Sequence, residues 1–176
     1  MLIKKKKINS KSRLFDKKLG GGCILDLGCY PISFSLLIGS LIAKLDKKDI
    51  SILNIKKEIG ETNVDIDASA EINFKSGFNS KIKSSFKKNL GSESNIIGEK
   101  GTITINNTWF GNDKIIRSNN NNHHLIKNQN HQNIYSYQIQ NISKNIVNGI
   151  SKSQYPAMSL NETLLNMKLI DSWLDG

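Results

Sequence analysis

Arginine is nearly absent from this 176-residue chain: Arg13 and Arg117 are the only two, although lysine raises the formal net charge to +10 and the pI to about 9.6. Arginine's planar fork is what reads phosphates and guanines bidentately, so a surplus made of lysine argues against specific nucleic-acid recognition. Lys, Asn and Ile are all abundant, as AT-rich codons dictate, and nucleic acid is not the expected partner. Cysteine is equally scarce. Cys23 and Cys29 lie six apart in an apolar run, too close on one helix for a disulfide and without a ligand-spaced pair elsewhere, so they read as small buried residues in a reducing compartment. No apolar run reaches the roughly 20 residues of a membrane span. The uncharged stretch 27–43 is shorter and contains Gly28, Pro31, Ser33, Ser35, Gly39 and Ser40, and no secretion signal precedes it, so a cytoplasmic protein without a membrane segment is expected. Gly20, Gly22 and Leu25 do not complete a G-x-G-x-x-G fingerprint, no strand signal precedes them, and no dinucleotide-binding unit can be traced.

The chain does contain one ordinary domain's worth of apolar residues, 38% against 23% charged. Residues 1–18 are basic and aperiodic and read as a linker or the remnant of an upstream domain; residues 19–176 read as the folded domain. From 21 to about 39 the apolar residues are dense enough for a helix buried on most sides, which Pro31 should bend by removing the bond to the Leu27 carbonyl. Residues 51–57 read as a strand, and 64–74 alternate strictly, Val64, Ile66, Ala68, Ala70, Ile72 and Phe74 against Asp65, Asp67, Ser69, Glu71 and Asn73. A three-residue loop, Lys75, Ser76 and Gly77, keeps like faces together in the next strand: it sets Phe74 opposite Phe78, Ala70 opposite Ile82, Glu71 opposite Lys81 and Asp65 opposite Lys87.

Short strands are expected at 94–97 and 102–105 around the turn "GEKG", with a further one at 114–117, followed by a long polar loop, "SNNNNHHLIKNQNHQN". Tyr135, Ile139, Ile142, Ile146 and Ile150 recur at helical spacing, and Ser159 with Glu162 is a capping-box signature ahead of a last helix. The order predicts an α+β fold: an open, mainly antiparallel sheet with helices packed on one face, and no Rossmann domain in this chain. The uncovered face must meet solvent or a partner.

Two residues stand out chemically. Asp26 and Tyr30, four apart, share a helix face in a run that otherwise reads as core. Either they bond each other or the backbone, or they project together into a cleft, a carboxylate to hold a substrate hydroxyl and a phenol to pass a proton. A phenol of ordinary pKa, near 10, is a slow base at neutral pH unless a nearby cation stabilises the phenolate. His123, His124 and His131 have no acidic or cysteine neighbours in sequence, and no metal site is expected; Trp109 and Trp173 read as packing anchors, Asp171 and Asp175 as solvated.

The string "RLFDKKLGGGCILDLGCYPISFSLLIG" closely resembles the start of the second domain of the Gfo/Idh/MocA oxidoreductases, the glucose-fructose oxidoreductase and dihydrodiol dehydrogenase superfamily. The similarity continues through "SGFNSKIKSSF", "NIIGEKGTITINNTWF" and "IVNGISKSQYPAMSLNETLLNMKLIDSW". The resemblance implies a domain that supplies a substrate pocket and an oligomer interface on its open sheet face. It further implies NAD or NADP as cofactor of the complete enzyme and a sugar, polyol or dihydrodiol as substrate. Tyr30 matches the family's acid/base and Asp26 its substrate-orienting carboxylate. The family's nucleotide-binding domain and its "EKP" lysine have no counterpart here. The resemblance therefore implies a truncated or split chain that binds no cofactor alone, completed by a separate Rossmann-domain chain, and inactive by itself. The competing expectation is a non-catalytic dimerising or polyol-binding module.

Overall fold

In the computed structural model, residues 11–111, 114–119, 122–127, 133–153, 155 and 157–176 are described. They divide into two compact units: a core unit, 11–90 with Met158–Gly176, and a hairpin unit, Gly91–Ala157. The fold is α+β with open antiparallel sheets and helices, the expected class, but there are two separate sheets rather than one.

The core unit begins with two 3-10 turns, Arg13–Phe15 and Lys17–Leu19, each capped by a side chain, Ser12 and Asp16. Leu14 and Phe15 are buried, and Phe15 meets Phe86 edge-on with ring centroids 5.4 Å apart. These residues, placed in a linker on composition alone, thus pack into the core: their basic neighbours face solvent while two apolar side chains turn inward. Helices α1 (Cys23–Leu27) and α2 (Cys29–Ile42) follow. The single helix bent at Pro31 is instead two helices separated at Gly28, and the segment Lys17–Leu27 as a whole lies at 41° to α2. Proline still explains the position, because it sits in the first turn of α2 and removes the donor that the Leu27 carbonyl would have used.

Strands β1 (Ile50–Ile59), β2 (Asp65–Phe74) and β3 (Asn79–Ser85) form an antiparallel sheet in that order. The β2–β3 register is the one the side-chain pattern demands: Ala70 faces Ile82, Glu71 faces Lys81, and the Phe74 amide donates to the Phe78 carbonyl at 2.9 Å across a loop in which Gly77 has φ +91°. Glu71 and Lys81 are 3.7 Å apart. Asp65 does not meet Lys87. On the β3 side the expected register holds to the Phe86 amide and Ile66 carbonyl, 2.8 Å; on the β1 side a shift places Ile59 opposite Asp65 and Glu58 opposite Asp67, making Ile66 an extra residue and turning Asp65 inward. There Asp65 is buried, and Lys87 binds Glu58 at 2.6 Å.

Ala68, Ala70, Ile72, Phe74 and Ile82 form the buried face of this sheet, packed with Ile24, Leu27, Ile32 and Leu36 of α1 and α2. Helix α4 (Leu160–Asp175) adds Leu165, Leu169, Ile170 and Trp173, and Trp173 is fully buried. The Ser159–Glu162 capping box is formed. The opposite face is laced with ion pairs, Glu58–Lys87, Asp67–Lys88 and Glu71–Lys81.

The hairpin unit is a meander, β4 (Ser94–Gly98), β5 (Gly101–Ile105), β6 (Lys114–Asn119) and β7 (Asn122–Lys127), followed by α3 (Ile134–Val147). Strand β7 replaces part of the expected polar loop: Leu125 and Ile126 pair with Ile116 and Ile115, so residues of modest strand propensity are held by the ladder. Among the described residues, no single helix is long and apolar enough to cross a membrane.

Candidate functional site

The glycine-rich loop at 20–22 has a local task. Gly22, at φ +121°, precedes α1 and supplies no side-chain cap; the Asp65 side chain does so from the sheet, its Oδ2 accepting from the Ile24 amide at 2.7 Å. A β-carbon on Gly22 would collide with Asp65 Oδ1. Space that a phosphate would need in a dinucleotide loop is therefore filled by a carboxyl group of this chain, and 3-10 turns rather than a strand lead into it. This loop does not fit a nicotinamide dinucleotide.

Beside it, the Cys23 thiol donates to the Ser84 carbonyl and accepts from the Ser84 hydroxyl, both at 3.4 Å. Burial pushes this thiol far above its ordinary pKa; the Ser84 hydrogen bond opposes that and the Asp65 charge adds to it. Cys29, half-buried, is also shifted upward, chiefly by burial. Both cysteines are free thiols.

Asp26 and Tyr30 flank the Gly28 break, Asp26 on α1 and Tyr30 in the first turn of α2. They are not equally placed. The Asp26 side chain is 17% exposed and its Oδ1 accepts from Arg13 Nη2 at 3.2 Å, whereas Tyr30 is 50% exposed. Asp26 Oδ2 takes no hydrogen bond among the described residues, leaving one acceptor oxygen for a hydroxyl while the guanidinium holds the other. Gly28 lets the break press on α4: a β-carbon there would lie 3.0 Å from Trp173 Cζ3. Next to it, the Asn166 side chain donates to the Cys29 carbonyl at 3.1 Å. Two shallow grooves of about 280 Å³ each, one around Asp46, Ile50 and Phe74 and one around Lys56, Ser69 and Lys83, include neither Asp26 nor Tyr30.

Arg13, Asp65 and Asn166 escape sequence reasoning. Asn166 alone carries a visible signal, an amide among Leu165, Leu169, Ile170 and Trp173 at core spacing. His123 pairs with Ser118, Nδ1 to Oγ at 2.8 Å, and His131 lies outside the described residues. Among the described residues no three His, Cys, Asp or Glu side chains are grouped to hold a metal ion.

The sequence model for the GFO/IDH/MocA C-terminal domain matches residues 4–104. No curated protein matches the chain in sequence. Among solved structures, an aldose-aldose oxidoreductase from Caulobacter crescentus complexed with glycerol is similar, with TM-score 0.75, 15% identity, and 96% of this chain covering 49% of that one. A 3-ketoreductase from Actinomadura kijaniata, in complex with NADP and TDP-benzene, gives TM-score 0.73 and 14% identity, covering 96% of this chain and 50% of that one. A dehydrogenase from Clostridium difficile gives TM-score 0.67 and 14% identity over 86% and 47%. At these identities the likeness is one of fold, and the chain spans about half the length of the structures it resembles.

Proposed function

The chain belongs to the GFO/IDH/MocA C-terminal domain family, and from that premise we propose that it is the substrate-side half of an NAD(P)-dependent oxidoreductase acting on a sugar, polyol or dihydrodiol. The observation that carries the reading is the placement of Asp26 and Tyr30 on the two sides of the Gly28 break, one carboxylate oxygen uncommitted and the phenol half exposed. Tyr30 passes the proton of the substrate hydroxyl, and Asp26 Oδ2 accepts a hydrogen bond from a hydroxyl and so orients the sugar. Arg13 keeps the Asp26 carboxylate in place from the solvent side. The carbon-side chemistry is the nicotinamide's, NAD or NADP, and the unit that binds it is a nucleotide-binding half, on a longer product or on a separate polypeptide, since the glycine loop here is filled by Asp65. That half also closes the pocket over Tyr30, and the open sheet face is where a second copy docks.

The test has two stages. Sugars, polyols and dihydrodiols titrated into this chain should perturb the NMR resonances of the 26–30 segment, and Asp26→Asn should weaken that binding about tenfold. With a nucleotide-binding half supplied, Tyr30→Phe should lower kcat by about 10²- to 10⁴-fold with little change in KM. An unchanged kcat in the Tyr30→Phe enzyme removes Tyr30 from the reaction.

A further inference from the structure

We propose that Asn166 is a positioning residue for this site: it ties the first turn of α2, and with it Tyr30, to α4. The inference deepens the reading of Tyr30 given above and rests on it.

The first turn of α2 lacks one bond of its own helix. Pro31 has no amide to give the Leu27 carbonyl, Gly28 carries no side chain, and α1 and α2 are separate helices on its two sides. Beside the helical bonds from the Gly28 amide to the Ile24 carbonyl, 2.8 Å, and from the Ile32 amide to the Gly28 carbonyl, 3.3 Å, two contacts reach the turn from α4. Trp173 lies under Gly28, an apolar contact close enough that a β-carbon would sit 3.0 Å from the indole. Asn166 Nδ2 donates to the carbonyl of Cys29, the residue immediately before Tyr30, at 3.1 Å. A carbonyl has two lone pairs, so this bond adds to the helical one rather than replacing it.

Asn166 is an unusual choice for its place. It is 5% exposed in a seam whose other members are Leu165, Leu169, Ile170 and Trp173, and its Oδ1 is buried without a hydrogen-bond partner. A leucine would fill the seam and leave no orphaned oxygen. A buried polar group kept at such a position is best attested as a register lock: apolar contacts tolerate sliding and rotation between helices, and one directional bond does not. Here the bond falls on the turn that presents Tyr30.

The two cysteines make the idea measurable without substrate. Cys29 sits in the turn in question, and Cys23 is fully buried behind it, so thiol labelling of Cys29 reports opening of the turn and labelling of Cys23 reports opening of the core. In Asn166→Leu and Asn166→Met, which keep the seam packed and lose the donor, Cys29 labelling should rise about fivefold while Cys23 labelling stays at the wild-type rate. The Tyr30 ring resonances should shift in both variants, and the Leu variant should retain the wild-type Tm. If Cys29 and Cys23 accelerate together, Asn166 supports the whole core and is no positioning residue. If neither the Cys29 rate nor the Tyr30 resonances change in the Leu variant, the proposal is equally overturned. Turnover enters none of these readouts, so failure here is distinct from failure of the catalytic reading.

Discussion

The core unit buries its apolar residues, and the hairpin unit leaves its own at the surface. Every buried residue among the described ones belongs to 11–90 or 158–176; in Gly91–Ala157 there is none, and Ile97, Ile146 and Val147 are among the most exposed apolar residues of the chain, Val147 at 84%. Helix α3 is the clearest contrast with α4. Both have apolar residues at helical spacing, but α4 buries Leu165, Leu169, Ile170 and Trp173 while Tyr135, Ile139, Ile142 and Ile146 of α3 are all exposed. Periodicity therefore identifies a helix and its apolar face, and says nothing of whether the same chain covers that face.

The largest expected effect follows from that contrast. Trp173→Ala should cost about 3 to 5 kcal/mol in urea unfolding, because its fully buried ring touches the α1–α2 break and its removal leaves a cavity. Ile142→Ala should change stability by less than about 0.5 kcal/mol, since the side chain is exposed and alanine favours the helix. Comparable losses at the two positions would mean that α3 is covered after all.

Next come the glycines. Gly22→Ala should cost about 2 to 4 kcal/mol, the sum of an unfavourable φ and of displacing the Asp65 side chain from the Ile24 amide. Gly149 also has positive φ, +65°, but nothing lies within 4 Å of the position a β-carbon would take. Gly149→Ala should cost only about 1 kcal/mol. Equal costs at the two glycines would show that the Asp65 contact contributes nothing.

How far the sequence reveals these features depends on how local their causes are. The β2–β3 register was legible because alternation, loop length and cross-strand charge all select the same pairing. Asp65 was misplaced because one extra residue, Ile66, breaks the parity on which that reading depends, and a bulge is set by what the strand must reach, here the start of α1. Strand β7 was hidden by Asn122, His123 and His124; yet Asn119 pairs with Asn122, and asparagine is among the residues that hairpin ends favour. Asp26 and Tyr30 were legible as a motif. Arg13, thirteen residues from Asp26, and Asn166, on the last helix, join them only through the fold.

A smaller effect separates the core unit by pH. The Cys23 thiol is held protonated by burial, well above its ordinary value of 9.0. In the unfolded chain it ionises as pH passes about 9, so there the unfolded state binds fewer protons than the folded one, and stability falls as pH rises. The slope from this one group is at most about 1.4 kcal/mol per pH unit. Cys23→Ala should therefore flatten the decline in Tm between about pH 9 and 11 relative to wild type, and parallel curves would show that the thiol ionises as readily folded as unfolded.

The smallest effect sharpens the comparison most directly, because the same chemical change is made in both regions. Ser159 caps α4 in a reciprocal box with Glu162, and Asn133 caps α3 by accepting from the Tyr135 amide at 3.0 Å. Each cap satisfies a backbone donor that the helix cannot, and replacing either by alanine removes about 1 kcal/mol of local helix stability. In α4 that loss is transmitted, since the helix cannot fray without exposing Leu165 and Leu169, so Ser159→Ala should lower the unfolding free energy of the core by about 1 kcal/mol. In α3 no buried side chain is tied to the helix. Asn133→Ala should thus speed amide exchange in Ile134–Val147 about fivefold and leave protection in β2 and α4 unchanged. If Asn133→Ala instead weakened β2 and α4 as well, the helix with the bare apolar face would be part of the same cooperative structure as the helix with the buried one.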